Sequence, residues 1–215
     1  MTPSATGSPG RGLFVVFEGG DAVGKTTQMK LLVSWLEGQG FSPLATRQPG
    51  GTRVGAELRR VLLDPTYAEL TPRAEALIYA ADKAQHVAEE IRPALAAGRV
   101  VVCDRYVDSM IAYQGAGRAM DLDEVAELAV WATGGLRPDL TILLDADPAV
   151  ALARQPDRDR LESAGPDFHR RTRDHLLHLA DQDRQRYLVL DACKPRDAVA
   201  REVIAGLRPL LPRRP

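Results

Sequence analysis

An α/β fold with a mainly parallel sheet and helices on both faces is predicted by three observations. Short apolar runs alternate with stretches of helical periodicity along the chain. One run, RVVVC at 99–103, is unbroken and mostly β-branched, the pattern of a strand buried on both faces. The candidate functional residues follow such runs directly, where an open parallel sheet places its ligands.

In chain order, LFVVFE (13–18) is the first strand and ends in an acid and two glycines. KTTQMKLLVSWLEGQG (25–40) reads as a helix, with Met29, Leu32 and Leu36 in phase and Gly38 or Gly40 as its stop. PLATR (43–47) is a weaker strand, and over 53–63 Val54, Leu58, Val61 and Leu62 share a helix face. Thr71 is an N-cap with Pro72 at the first helical position; that helix runs past His86, and Pro93 kinks or restarts it. After the third strand at 99–103, Asp121 and Glu124 form a capping-box pattern before another helix. LTILLD (140–145) is the fourth strand, Asp147-Pro148 opens a short helix, YLVLD (187–191) is the fifth strand, and a last helix follows Pro195.

The chain has 215 residues, 45% hydrophobic and 27% charged, which suits a single domain at 13–215 behind a short disordered lead-in at 1–12. Its 28 basic and 29 acidic residues give a net charge of -1, against a broadly basic nucleic-acid-binding surface. Two cysteines are too few for a disulfide scaffold. No apolar run approaches the roughly 20 residues that span a bilayer, and the first twelve residues lack the apolar core of a signal peptide. A cytoplasmic protein without nucleic-acid or membrane partners is the expectation. His86, His169, His175 and His178 form no ligand constellation, and Cys103 and Cys193 read as a core and a loop residue. Arg170, Arg171 and Arg173 read as a solvated helix face.

Gly19-Gly20-Asp21-Ala22-Val23-Gly24-Lys25-Thr26 matches G-x-x-x-x-G-K-[ST], with Thr27 following. With only 4 Lys in the chain, a chance match in this composition is expected roughly 0.002 times. Glycines let backbone N–H groups turn inward around phosphate oxygens at a helix N-terminus. Lys25 then reaches the β- and γ-phosphates, and the Thr26 hydroxyl suits Mg²⁺. The chain contains no Asn, which excludes the Asn-Lys-x-Asp guanine reader of GTPases. A second basic set follows. Asp104-Arg105-Tyr106 ends the third strand, Asp104 placed to orient Mg²⁺ or its water and Arg105 to clamp a phosphate; Arg47, in TRQPGGT, ends the second.

FEGGDAVGKTTQ, TRQPGGT, EALIYAADKAQHV and DRYVDSMIAYQG, in this order and spacing, resemble the thymidylate kinase family over residues 13–192. The resemblance implies a three-layer P-loop kinase fold with a five-stranded parallel sheet and a mobile lid at about 154–166. It implies transfer of the γ-phosphoryl group of ATP to dTMP with Mg²⁺, and a homodimer formed through helices beside the sheet. Asp21 would bind the sugar 3′-hydroxyl, and Arg47 and Arg105 the acceptor phosphate. Pro49 and Tyr79 would flank the thymine, Tyr113 would crowd the 2′ position, and Ser109 and Gln114 would line the same pocket. The loop at 19–26 holds no basic residue before Lys25, so the cation for the transferred phosphoryl group would come from the lid, Arg160 first, then Arg154, then Arg158. Three positions depart from the family pattern: Lys83 for an Arg at the thymine carbonyl, Met110 for a small polar residue facing the base, and Gln48 for Glu. Two alternatives stand beside dTMP kinase, a related deoxynucleotide kinase with another base choice and a non-catalytic nucleotide binder. Lys25, Thr26, Asp104, Arg105 and Arg160 argue against the latter.

Overall fold

Five strands, β1 (Phe14–Gly19), β2 (Leu44–Arg47), β3 (Val101–Asp104), β4 (Leu140–Asp145) and β5 (Tyr187–Asp191), pair in parallel in the order β2-β3-β1-β4-β5. The computed structural model describes residues 11–153, 160–161 and 163–211. The first ten residues of the expected lead-in, Arg154, Arg158 and most of the expected lid therefore lie outside the described residues. From β1 the chain winds out to β2, returns to β3, then passes β1 to reach β4 and β5. This reversal of winding opens a crevice at the carboxyl ends of β1 and β3. There the register sets Phe17 and Arg47 on either side of Asp104.

Strand burial follows from the sequence. All six residues of β1 are buried, with Val15 and Phe17 facing one core and Phe14 and Val16 the other. β2 is an edge strand on which Ala45 and Arg47 are exposed, which accounts for its weaker apolar signal. Helices α1 (Lys25–Gly38) and α9 (Arg196–Leu207) cover the first face, packing Leu32, Leu36, Val199 and Val203 on Val15, Phe17 and Ile142. Each such side chain contributes roughly 1.5–3 kcal/mol on burial. On the other face α3 (Pro72–His86) continues through a π-helical turn at Val87–Ile91 into α4 (Arg92–Ala96). Pro93 follows the π-helical turn directly, at the point where the hydrogen-bond ladder changes register into α4. Next come α5 (Val107–Met110), a π-helical stretch at Ile111–Gly117, α6 (Leu122–Thr133), α7 (Pro148–Leu152) and α8 (Pro166–Gln182). Tyr79, Met110, Tyr113, Phe168 and Leu176 form a separate cluster among α3, α5, the π-helical stretch and α8.

The expected caps are present: Thr71 accepts from the Ala74 amide, Asp121 from Asp123 and Glu124, and Asp147 from Ala149. Thr52 caps α2 (Arg53–Leu63) in the same way. α1, like α8 and α9, has no side-chain cap; Gly24 stands at its N-cap. Its first amides are left for another acceptor.

Candidate active site

The phosphate loop joins β1 to α1. Gly19 has φ 137°, and a Cβ there would meet the Leu144 carbonyl at 2.4 Å, so the loop leaves the sheet tight against β4. Gly24 turns through φ 95° into the helix. Ala22 takes the left-handed region at φ 58°, uncommon for a residue with a side chain. The Lys25 ammonium lies under the loop and donates to the carbonyls of Gly19 (3.1 Å) and Gly20 (2.5 Å). Burial, aided by the Arg105 charge, lowers its pKa to about 8.

Arg105 is the second strained position. Its backbone sits at φ 64°, where a bulky side chain costs of order 1–3 kcal/mol and persists only when its surroundings fix it. Glu18, the acid that ends the apolar run of β1, supplies that fixation. Its Oε1 accepts the amides of Tyr106 (2.8 Å) and Ser109 (3.1 Å), and its Oε2 accepts the Ser109 hydroxyl. Burial and the nearby Asp108 push the Glu18 carboxyl up, against the pull of Arg105. The Arg105 guanidinium then donates from one nitrogen to the Gly19 carbonyl (2.9 Å) and the Ser109 hydroxyl (3.0 Å), and from the other to Asp21. Asp21 also accepts from the Tyr113 hydroxyl at 2.9 Å, and the Arg105 guanidinium lies 4.8 Å from the Tyr113 ring centroid. His169 lies 4.0 Å from Asp21. Burial raises the Asp21 carboxyl, but Arg105, Lys25, Tyr113 and His169 outweigh it and hold the group below the usual carboxylate range.

One cavity gathers Asp21, Pro49, Tyr79, Arg105, Ser109, Met110, Tyr113 and Gln114. Eight of the ten residues expected to bind the acceptor thus share one pocket. Four more that the sequence did not single out for this pocket join them: Gln48, Arg59, Leu63 and Leu161. Arg59 and Leu63 lie one turn apart on α2, so the helix periodicity was the available signal. His169 gave none, since a histidine on an amphipathic helix reads as packing.

Arg47 lies elsewhere, exposed at the edge of an adjoining groove of about 530 Å³ that also holds Thr26 and Asp104. Lys83 is 2% exposed and lies behind the pocket, donating to the Gln48 side-chain oxygen at 3.1 Å. Two of the three departures from the family pattern therefore bond to each other. Gln48 is itself tied to His86 (2.9 Å), whose other ring nitrogen reaches Thr46 (2.7 Å). Burial lowers the His86 pKa to about 4, so this relay is neutral and hydrogen-bonded. Met110, the third departure, is 1% exposed and lines the cavity. The Ser109 hydroxyl is engaged with Glu18 and Arg105, so it acts through the guanidinium. Arg160 stands on the pocket's far side, its guanidinium on Glu75 and the Leu62 carbonyl.

At this crevice the loop at the N-terminus of α1 and the strained Arg105 turn meet directly, through the Gly19 carbonyl and Asp21. A pocket lined by two tyrosines, Tyr79 and Tyr113, lies beside the Arg105 turn. Transfer of a phosphoryl group between two nucleotides requires that arrangement, and it places the protein among the P-loop nucleoside monophosphate kinases. The family model for thymidylate kinase matches residues 17–203. The chain is 55% identical over 199 residues to the thymidylate kinase of Cutibacterium acnes, covering 91% of this chain and 98% of that one. It is 48% identical over 200 residues to that of Deinococcus radiodurans, covering 92% and 97%. Among solved structures, thymidylate kinase from Ehrlichia chaffeensis matches with a TM-score of 0.77 at 30% identity, covering 92% of this chain and 99% of that one. The chain belongs to the thymidylate kinase family and is an enzyme that phosphorylates dTMP to dTDP with ATP as donor. No helix among the described residues is long and apolar enough to cross a membrane.

Proposed function

We propose that the crevice divides the reaction between its two walls. On the donor wall, the amides from Gly19 to Thr27 hold the ATP phosphates, and Lys25 exchanges its two loop carbonyls for phosphate oxygens. On the acceptor wall, Arg105, with Arg47 at the groove edge, holds the dTMP phosphate. Asp21 receives the 3′-hydroxyl, and Tyr113 closes the space beside C2′. Tyr79 and Pro49 bracket the base. Gln114 commits its amide nitrogen to the Glu75 carboxylate at 3.0 Å, which leaves its oxygen to accept a hydrogen bond from the base. A thymine or uracil N3–H donates that bond, whereas a cytosine N3 is itself an acceptor.

The observation that carries this reading is the Arg105 guanidinium, which bonds the phosphate loop at two points, the Gly19 carbonyl and the Asp21 carboxylate. Equilibrium titration tests it. A bidentate phosphate clamp makes dTMP bind at least about 100-fold more tightly than thymidine. Equal affinities for the two would remove the phosphate site from this wall.

The residues present suit a Mg²⁺ ion. Asp104 Oδ1 is buried without a hydrogen-bond partner, and both Asp104 and Thr26 line the groove beside the loop. When bound, the ion neutralises charge on the β- and γ-phosphate oxygens. Asp104 and Thr26 would hold it, and Lys25 and Arg105 would position the two phosphates.

A homodimer is the proposed assembly. Trp131 on α6 is 80% exposed, and Val130 beside it and Leu77 on α3, which packs against α6, are also exposed, which supports a contact surface on these helices. Trp131→Asp is expected to halve the mass measured by light scattering; an unchanged mass would move the interface elsewhere.

A further inference from the structure

We propose that Glu75 and Arg160 form a seat that closes the base end of the acceptor pocket, and that Arg160 is a positioning residue there instead of the cation on the transferred phosphoryl group. The proposal rests on the assignment of this pocket to dTMP.

Glu75 lies in the first turn of α3 and is 0% exposed. Its Oε1 accepts from Gln114 Nε2 at 3.0 Å and Arg118 Nε at 3.2 Å. Its Oε2 accepts from Arg118 Nη2 at 3.0 Å and from Arg160 Nη2. Burial alone would raise this carboxyl, but the bonds from Arg118, Gln114 and Arg160 outweigh it and hold the group below its ordinary value. An ionised carboxylate this deep needs cations around it, and here they come from two segments distant in sequence. Arg118 arrives from the end of the π-helical stretch and Arg160 from the chain leading into α8.

Arg160 has further bonds on the same side. Its Nε donates to the Leu62 carbonyl at 2.9 Å, and its backbone N–H points to the Leu63 carbonyl at 3.4 Å. The hydrogen-bond partners found for it among the described residues thus lie on α2 and α3, at the base end of the crevice. Its neighbour Leu161 is 6% exposed, packs in the cluster of Tyr79, Met110, Tyr113 and Phe168, and lines the pocket. The guanidinium therefore fixes the residue that covers the pocket's apolar end. The same carboxylate orients Gln114, so one buried charge links the cover to a wall of the base pocket.

Removing Arg160 leaves Glu75 paired with both arms of Arg118, so the fold is retained and the loss falls on the cover. The effect then appears in dTMP binding. A cation on the transferred group would act in the transition state and lower kcat with little change in KM.

The experiment is steady-state kinetics of Arg160→Ala, Leu161→Ala, the double variant and Glu75→Gln, with thermal melts to confirm folding. Arg160→Ala is expected to raise the KM for dTMP about tenfold, with kcat and the KM for ATP within about threefold of wild type. Leu161→Ala is expected to act in the same direction, and the double variant to exceed the stronger single one by no more than about twofold, because both remove one seat. Glu75→Gln is expected to raise the KM for dTMP at least as much. A fall in kcat of about 100-fold with an unchanged KM for dTMP would place Arg160 on the phosphoryl group and overturn the proposal; unchanged kinetics would overturn it too. Arg105→Ala is the control. If it raises the KM for dTMP while Arg160→Ala does not, the seat alone fails; if neither does, the pocket assignment fails.

Discussion

Replacing Lys25 by Ala is expected to lower kcat by about 1,000-fold while leaving the fold intact, as read by ADP release and by circular dichroism. Among the described residues the ammonium's hydrogen bonds go to the loop's own carbonyls, so its charge is not part of the packed core. Its loss therefore removes charge stabilisation, and losing one preorganised donor of this kind costs about 3–4 kcal/mol in the transition state. The lowered Lys25 pKa of about 8 adds a second readout. Phosphate binds the protonated form, so its pKa rises on binding. ATP affinity is therefore full below pH 7 and falls as pH rises through 8, by up to about tenfold per unit. Lys25→Ala should flatten that dependence. An unfolded variant, or turnover within a few-fold of wild type, would contradict the role.

The second large effect belongs to Arg105. Arg105→Ala is expected to reduce kcat/KM for dTMP by about 1,000-fold, roughly 4 kcal/mol, with the KM for ATP little changed. Two losses add together. The acceptor phosphate loses its clamp, and Asp21 loses the guanidinium that is its ion-pair partner. Arg105→Lys should recover no more than about tenfold. A single ammonium cannot serve Gly19, Ser109 and Asp21 together as the planar fork does. Near-normal dTMP kinetics in Arg105→Ala would remove the acceptor site from this wall.

Local features of the site and fold were legible in the sequence. The glycine-rich loop, the capped helices and the strands at 140–145 and 187–191 each follow from a few neighbouring residues, and the structure forms them at those positions. Long-range features were not legible. Glu18 reads as an acid at a strand end, and nothing nearby tells that its Oε1 meets amides 88 and 91 residues away. Glu75 reads as a residue of a helical first turn, and only the folded chain brings two arginines and a glutamine to it. Lys83 shows the opposite failure. Helical spacing places it on the face of Tyr79, and its ammonium does lie 5.8 Å from that ring. Gln48 nevertheless captures it behind the pocket wall, which a pattern one helix long cannot reveal.

The base pocket is tested most directly by specificity constants for dTMP, dUMP, dCMP and dGMP under one set of conditions. Met110 offers a thioether where a hydroxyl or amide would bond the base, and Lys83 is withdrawn. Discrimination between thymine and uracil then rests on one methyl group, worth about 1 kcal/mol in apolar surroundings. The expected order is dTMP first, dUMP about fivefold behind, dCMP far below because Gln114 presents an acceptor, and dGMP excluded by size. A preference for dCMP or dGMP would contradict the assignment of this pocket.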